Sequence, residues 1–171
     1  MNPRSDGRRT GAPGGDAAAK KPPSKTILAT NRKARHDYAF SYVVEAGLVL
    51  LGSEVKSLRT AAASLQDGYA RVDDDEVWLY GVHVPPLPQA SYRNHEPRRK
   101  RKCLLHLREI RKLAGLLEGE GTTMIPLSLY FLGSRVKVEL GVGRGKRQFD
   151  KREDMKQREA DRATRRAVRR G

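Results

Sequence analysis

A chain of 171 residues with 35 Lys/Arg against 20 Asp/Glu carries a formal net charge of +15, and its length suits one domain with tails. No run approaches the ~20 apolar residues of a membrane span, and the opening MNPRSDGRRTGAPGG lacks the apolar segment of a secretory signal. The single cysteine, Cys103, leaves no intramolecular disulfide and suits a reduced, cytoplasmic setting.

The charge is uneven along the chain. Residues 1–25 carry six Lys/Arg and two Asp, and residues 144–171 carry twelve Lys/Arg and five Asp/Glu. A modestly basic body with two basic arms points to a polyanionic partner. The first arm is rich in Gly, Pro and Ala without periodicity, so residues 1–25 are expected to be disordered.

NRKARHDY follows, packing Arg32, Lys33, Arg35 and His36 into five positions as a phosphate-contacting loop before a strand. In DYAFSYVVEAG, Tyr38, Phe40, Tyr42 and Val44 alternate with smaller or polar residues up to Glu45, the period-two pattern of a half-buried strand. SEVKSLRTAAAS predicts a helix capped by Ser53, with Val55, Leu58 and Ala62 on one face. RVDDDEVW predicts two strands joined through an acidic turn, and in EVWLYGVHV the residues Trp78, Tyr80, Val82 and Val84 are expected to share a face.

EPRRKRKC holds five consecutive basic residues, Arg98 to Lys102, which would contact phosphate without reading sequence. LREIRKLAGLLEGEG predicts a helix with Leu107, Ile110, Leu113, Ala114 and Leu117 on one stripe and Gly119 just past its end. YFLGSRVKV predicts a hairpin centred on Gly133–Ser134. In SRVKVELG, Val136, Val138 and Leu140 point one way while Arg135, Lys137 and Glu139 point the other. GVGRGKRQ then serves as a flexible hinge into a tail with no apolar stripe.

The fold class expected is mainly β with helices (α+β). Mostly short strands with two helices suggest a small OB-like barrel with disordered basic N- and C-terminal tails. Residues 26–143 would form the RNA-binding domain, between an arm over 1–25 and a tail over 144–171. The tail carries charge pairs at helical spacing, such as Asp154–Arg158 and Asp161–Arg165, each worth only ~0.2–0.5 kcal/mol. It is therefore expected to be disordered when free and to fold against RNA.

Catalytic chemistry finds no constellation. His36–Asp37 has no nucleophile elbow or second His-rich motif beside it, Asp73–Asp74–Asp75 has no partner His or spaced carboxylate, and the Gly spacing of GVGRGKRQ is wrong for a dinucleotide site. No enzyme activity, cofactor or metal is expected. Among ten aromatics, most fall on alternating strand positions that a core needs, leaving few as stacking platforms for single strands. The expected partner is a folded RNA gripped by shape and backbone contacts.

The blocks LATNRKARHDY, EAGLVLLGSEVKSLR, LQDGYARV, NHEPRRKRKCLLHLREI, IPLSLYF and GSRVKVELGVGRGKRQFDKRED, in order over about residues 26–160, resemble the SsrA-binding (SmpB) family. The resemblance implies a non-enzymatic, closed antiparallel β-barrel with flanking helices that binds the tRNA-like domain of transfer-messenger RNA (tmRNA, SsrA). Such a protein helps alanyl-tmRNA, with elongation factor Tu, enter the empty A site of a stalled ribosome, where the nascent chain is tagged and the ribosome released. It implies RNA-contacting roles for Glu45, Leu104 and Lys137, and for Asn31, Lys33, Arg35 and His36 in a first conserved loop. It implies ribosome-contacting roles in the decoding centre and mRNA channel for Gly145, Lys146, Phe149, Asp150, Lys151 and Arg152. Cys103 departs from the family's usual Leu, and Leu132–Gly133–Ser134 is less polar than the family's last hairpin. The competing class is a general structured-RNA-binding translation factor or RNA chaperone.

Overall fold

The computed structural model describes residues 24–88 and 94–146. In chain order the elements are β1 (Lys25–Thr30), α1 (Arg32–Asp37), β2 (Tyr38–Leu48), α2 (Gly52–Thr60), β3 (Tyr69–Asp73), β4 (Glu76–Tyr80), β5 (Arg101–Leu104), α3 (Leu107–Leu117), β6 (Thr122–Leu132) and β7 (Arg135–Gly145). No helix among the described residues is long and apolar enough to cross a membrane. Among the described residues the chain is mainly β with three helices, and every strand pair is antiparallel.

Two hairpins follow directly from local chemistry. β3 and β4 pair Asp73 with Glu76 around Asp74 (φ 49) and Asp75 (φ 57). A two-residue turn of this hand needs positive φ at both central positions, which Asp tolerates because its short side chain bonds locally. β6 and β7 pair Leu132 with Arg135 around Gly133 (φ 61) and Ser134. Pro126 has no N–H to donate to a ladder and falls where the β6–β7 register shifts.

β7 pairs with β2 on one side and β6 on the other, and β1 adds outside β6. The ladders continue from β2 through β5 and β4 to β3. From β3 a single residue pair, Ala70 with Met124, leads back to β6. Inward side chains of these strands, including Ala46, Val77, Leu79, Met124, Val138, Leu140 and Val142, are fully buried. Leu58 of α2 and Ile110 and Leu113 of α3 join the same cluster. Full burial of a Leu or Val stabilises by roughly 1.5–3 kcal/mol against exposure, so this cluster dominates the folding free energy.

Several expectations need correction. NRKARHDY is not a loop: Arg32–Asp37 is a helix, because the Asn31 side chain accepts the Ala34 N–H at 3.0 Å and so supplies an N-cap. The second helix begins at Gly52 rather than after Ser53. Glu54 reaches back to accept the Leu51 N–H at 2.7 Å, satisfying an otherwise orphaned donor. Leu107 opens the third helix but is exposed, while Ile110 and Leu113 carry its buried stripe.

Trp78 and Tyr80 do not share the face of Val82 and Val84. Val77 and Leu79 occupy the core side of β4, so Trp78 and Tyr80 point outward. Gly81 (φ 69) then breaks the alternation and returns Val82 and Val84 to the core. Only glycine suits that backbone, since a Cβ there would collide with the Asp67 carbonyl.

The glycines of GVGRG are not a hinge either. They lie in β7, in register with β2, and a Cβ on Gly143 would overlap the Ala39 backbone. The expected tail boundary at residue 144 therefore falls inside a strand. Apart from Ser24 and Lys25, the arm expected over 1–25 lies outside the described residues, as does the tail after Lys146.

Candidate nucleic-acid interface

Sheet register brings three of the implied RNA-binding residues together. Gly47 of β2 pairs with Leu104 of β5 on one side and Lys137 of β7 on the other. Lys137 pairs in turn with Tyr130 of β6, and Tyr130 with Ile27 of β1. Leu104, Gly47, Lys137, Tyr130 and Ile27 thus form one row across five strands on the outer face. The ends of the row, Leu104 at 54% and Ile27 at 63%, are exposed apolar side chains. Gly47 leaves a notch between Leu104 and Lys137: a Cβ there would sit 3.3 Å from the Leu104 Cβ. Gly47, Leu48, Leu104, Arg135 and Lys137 line an adjoining cavity of about 440 Å³.

Glu45 lies one pleat along β2 from Gly47, opposite Glu139. Its carboxylate accepts the Tyr130 hydroxyl and lies 3.2 Å from the Lys137 ammonium. Hydrogen bonding from Tyr130, reinforced by Lys137 and Lys25, outweighs desolvation and holds the Glu45 carboxyl below its ordinary value. Burial and the neighbouring carboxylates push the Tyr130 hydroxyl up, so it stays protonated and donating. Lys25 completes the cluster, its ammonium 3.8 Å from the Tyr130 ring centroid.

The α1 residues continue the same strip. The Arg35 guanidinium lies 3.0 Å from Glu139, which also accepts the Ser128 hydroxyl at 2.8 Å. Lys33 is exposed, and His36 Nδ1 lies 3.0 Å from the Asp37 carboxylate. Asn31 differs from these neighbours: it is buried, and its amide donates to the Leu65 carbonyl at 3.0 Å while its oxygen caps α1. It fixes the helix that presents Lys33 and Arg35. Lys25 and Lys137 lie at one end of the strip and Arg35 at the other, with Glu45 and Glu139 between them. Gly145 pairs with Tyr38, and the Lys146 N–H donates to the Asp37 carbonyl at 2.8 Å, so the chain leaves the sheet beside α1. Phe149, Asp150, Lys151 and Arg152 lie outside the described residues.

The basic run Arg98–Lys102, expected as a phosphate-contacting stretch, is divided by the fold into buried and surface cations. Arg101 is 1% exposed and donates to Glu54 at 2.8 Å, to the Val82 carbonyl at 2.6 Å and to the Pro97 carbonyl at 3.0 Å. Arg99 bonds the same buried carboxylate, Arg98 pairs with Asp67 at 3.3 Å, and Lys102 pairs with Glu76. Burial pushes the Glu54 carboxyl up, but Arg99, the Leu51 N–H and Arg101 together hold it below its ordinary value. Arg99 and Arg101 therefore build the protein, while Arg98, Lys100 and Lys102 stay at the surface.

Sequence reasoning missed Tyr130 and Lys25. Tyr130 sits in the apolar run IPLSLYF, where a phenol hydroxyl needs a partner, and that need was the available signal. Lys25 was assigned to the arm, yet it begins β1.

Comparison with known proteins places this architecture in a family. The family model described as SmpB protein matches residues 28–170. An SsrA-binding protein of Kineococcus radiotolerans is 53% identical over 143 residues, covering 81% of this chain and 92% of the relative. One of Chloroflexus aurantiacus is 53% identical over 145 residues, covering 84% and 91%. A chain in the solved structure "tmRNA-SmpB: a journey to the center of the bacterial ribosome" is 44% identical with a TM-score of 0.61, covering 74% of this chain and 93% of that one. By the extent of these matches, the chain belongs to the SmpB family.

Proposed function

We propose that this chain binds the tRNA-like domain of tmRNA through the strip that includes Leu104, Gly47, Lys137, Tyr130 and Glu45, and delivers alanyl-tmRNA to stalled ribosomes. Family membership supports the RNA and the process. The observation that carries the placement is the Lys137–Glu45–Tyr130 cluster between two exposed apolar side chains. A fixed ammonium contacts phosphate, exposed Leu and Ile side chains pack on sugars and base faces, and Arg35 offers a second cation farther along the strip.

In this reading the six strands β6, β3, β4, β5, β2 and β7 close as an OB-like barrel. The ring of ladders supports closure, with the β3–β6 link its thinnest point. Residues 25–145, the span of the strands, form the RNA-binding domain rather than 26–143, the arm before them is dispensable, and the chain acts in the cytoplasm by binding and not by catalysis. Elongation factor Tu accompanies the aminoacylated RNA. The tail, including Phe149, Asp150, Lys151 and Arg152, occupies the decoding centre and mRNA channel, supported by its charge and its lack of an apolar stripe.

The test pairs tmRNA affinity with peptide-tag addition on ribosomes stalled without a codon, for the full chain and for a chain ending at Phe149. Truncation is expected to preserve RNA binding and abolish tagging. Intact tagging, or loss of tmRNA binding with the tail, overturns the division of labour.

A further inference from the structure

A second surface adjoins the Leu104 end of the tmRNA strip and lies away from the Lys137 cluster. The outer face of β3, β4 and β5 carries Tyr69 and Arg71, Trp78 and Tyr80, and Lys100 leading into Lys102. Around the ring of ladders, β4 is three strands from β7 in either direction. This face therefore does not overlap the Lys137 cluster.

Its rings are not there to fill the core, because Val77, Leu79 and Ala70 already do so from the same strands. Tyr69 is 43% exposed. Tyr69 and Tyr80 face each other across the hairpin with centroids 5.2 Å apart and planes 13° from parallel. Tyr80 is held in place because its hydroxyl donates to Asp73 at 3.0 Å. The Lys100 ammonium lies 4.8 Å from the Trp78 ring centroid. Arg71 and Lys102 flank Trp78 in register on the neighbouring strands. The two carboxylates of the face are engaged, Asp73 with Tyr80 and Glu76 with Lys102. Beside Tyr69 and Arg71 lies a cleft of about 550 Å³ between β3, β6 and the end of α3. Its walls include Leu117 and Met124, and its rim Thr122 and Thr123. It opens there because β3 and β6 share a single ladder pair.

Outward-facing rings, one exposed and stacked on a half-buried partner, interleaved with cations match the chemistry of unpaired nucleotides: π-faces for bases and ammonium or guanidinium groups for phosphates. We propose that the Tyr69–Tyr80 pair, with Arg71, Trp78 and Lys100, is a second RNA-binding site that takes an unpaired single-stranded segment. A base stacks on Tyr69, its phosphates meet Arg71 and Lys100, and the cleft receives a neighbouring base. This goes beyond the tmRNA reading and does not depend on it, since the residues are different.

The chain's only tryptophan, Trp78, reports on this face directly. The full-length protein is titrated with short oligouridylate, and with an abasic oligomer of equal length, while tryptophan fluorescence is followed. Oligouridylate is expected to shift or quench the emission, and the abasic chain to do so far more weakly. Tyr69→Ala is expected to weaken oligouridylate binding about tenfold, the usual effect of removing one stacking ring. Tyr69→Phe retains the ring and is expected to bind as wild type, and Lys137→Ala to leave this binding unchanged. Matched thermal unfolding of the variants establishes that the fold is intact. Equal responses to the two oligomers, no response, or wild-type affinity in a folded Tyr69→Ala protein overturns the site.

Discussion

The Lys137 ammonium lies 3.2 Å from the Glu45 carboxylate on the neighbouring strand, diagonal to it in the ladder. A carboxylate in the strip proposed to bind RNA would repel phosphate, so it needs a reason to be there. Here it takes the Tyr130 hydroxyl on one side and aims Lys137 on the other.

Glu45→Gln keeps an acceptor for Tyr130 but removes the charge that holds Lys137. RNA affinity is expected to fall several-fold although net charge rises, and Tyr130→Phe to produce a loss in the same direction. Filter binding at fixed salt measures both. Tighter binding by Glu45→Gln shows that the carboxylate does not position Lys137.

The basic run divides by burial. Glu54→Ala strips the counter-charge from a fully buried Arg101, and breaking a buried pair from one side costs about 3–5 kcal/mol. Arg98→Ala removes only an exposed ion pair with Asp67, worth ~0–1 kcal/mol. Denaturant unfolding is expected to separate the two variants clearly. Equal stabilities contradict the structural role of the Glu54 network.

Acid should unfold the protein partly through Glu54. Its folded pKa lies below the ordinary value of 4.5, so its contribution is present above that value. The contribution is lost as pH falls through the folded value. Melting temperature is expected to drop on acidification from about pH 5, and Glu54→Gln, itself less stable, to show a flatter dependence over that window.

At the alkaline end, burial pushes the Cys103 thiol up to about 12 from 9.0. The neutral thiol favours the fold below the unfolded value, and that contribution is lost as pH rises toward the folded one. A thiol-specific reagent at pH 8 is expected to label the native chain slowly and the urea-unfolded chain rapidly. Fast native labelling contradicts the buried placement.

Gly115 sits exposed inside α3, and a methyl group added there would meet nothing within 4 Å. Gly115→Ala is expected to raise stability by about 1 kcal/mol, the helix-propensity difference, without altering RNA binding. A neutral or negative result in thermal unfolding means that the helix is not formed there in solution.

What the residues disclosed, and what they hid, follows from the range of the interactions. The acidic and Gly–Ser turns were legible because positive-φ hairpin turns are written in adjacent residues. So was the inward face of Val136, Val138 and Leu140, where alternation runs unbroken. The Trp78–Tyr80 face was misread because one left-handed glycine, Gly81, shifts the phase of everything after it. The short first helix escaped because it rests on a capping side chain more than on an apolar period. The fate of Arg101 could not be read locally: its partner Glu54 is 47 residues away in sequence, and a run of cations looks the same whether it is solvated or buried. Tyr130 acquired meaning only when β6 and β2 were brought to the two flanks of β7, which sets its hydroxyl beside Glu45.

The central claim is that the Lys137 strip recognises tmRNA. The most direct measurement is equilibrium binding of the tRNA-like domain of tmRNA, in excess elongator tRNA and across a salt series, for the wild-type chain and Lys137→Ala. The wild type is predicted to hold the tmRNA domain against competitor. Lys137→Ala is predicted to bind more weakly, with a log–log salt slope smaller by about one phosphate contact. Complete displacement by elongator tRNA, or identical affinity and slope in the folded variant, contradicts the account.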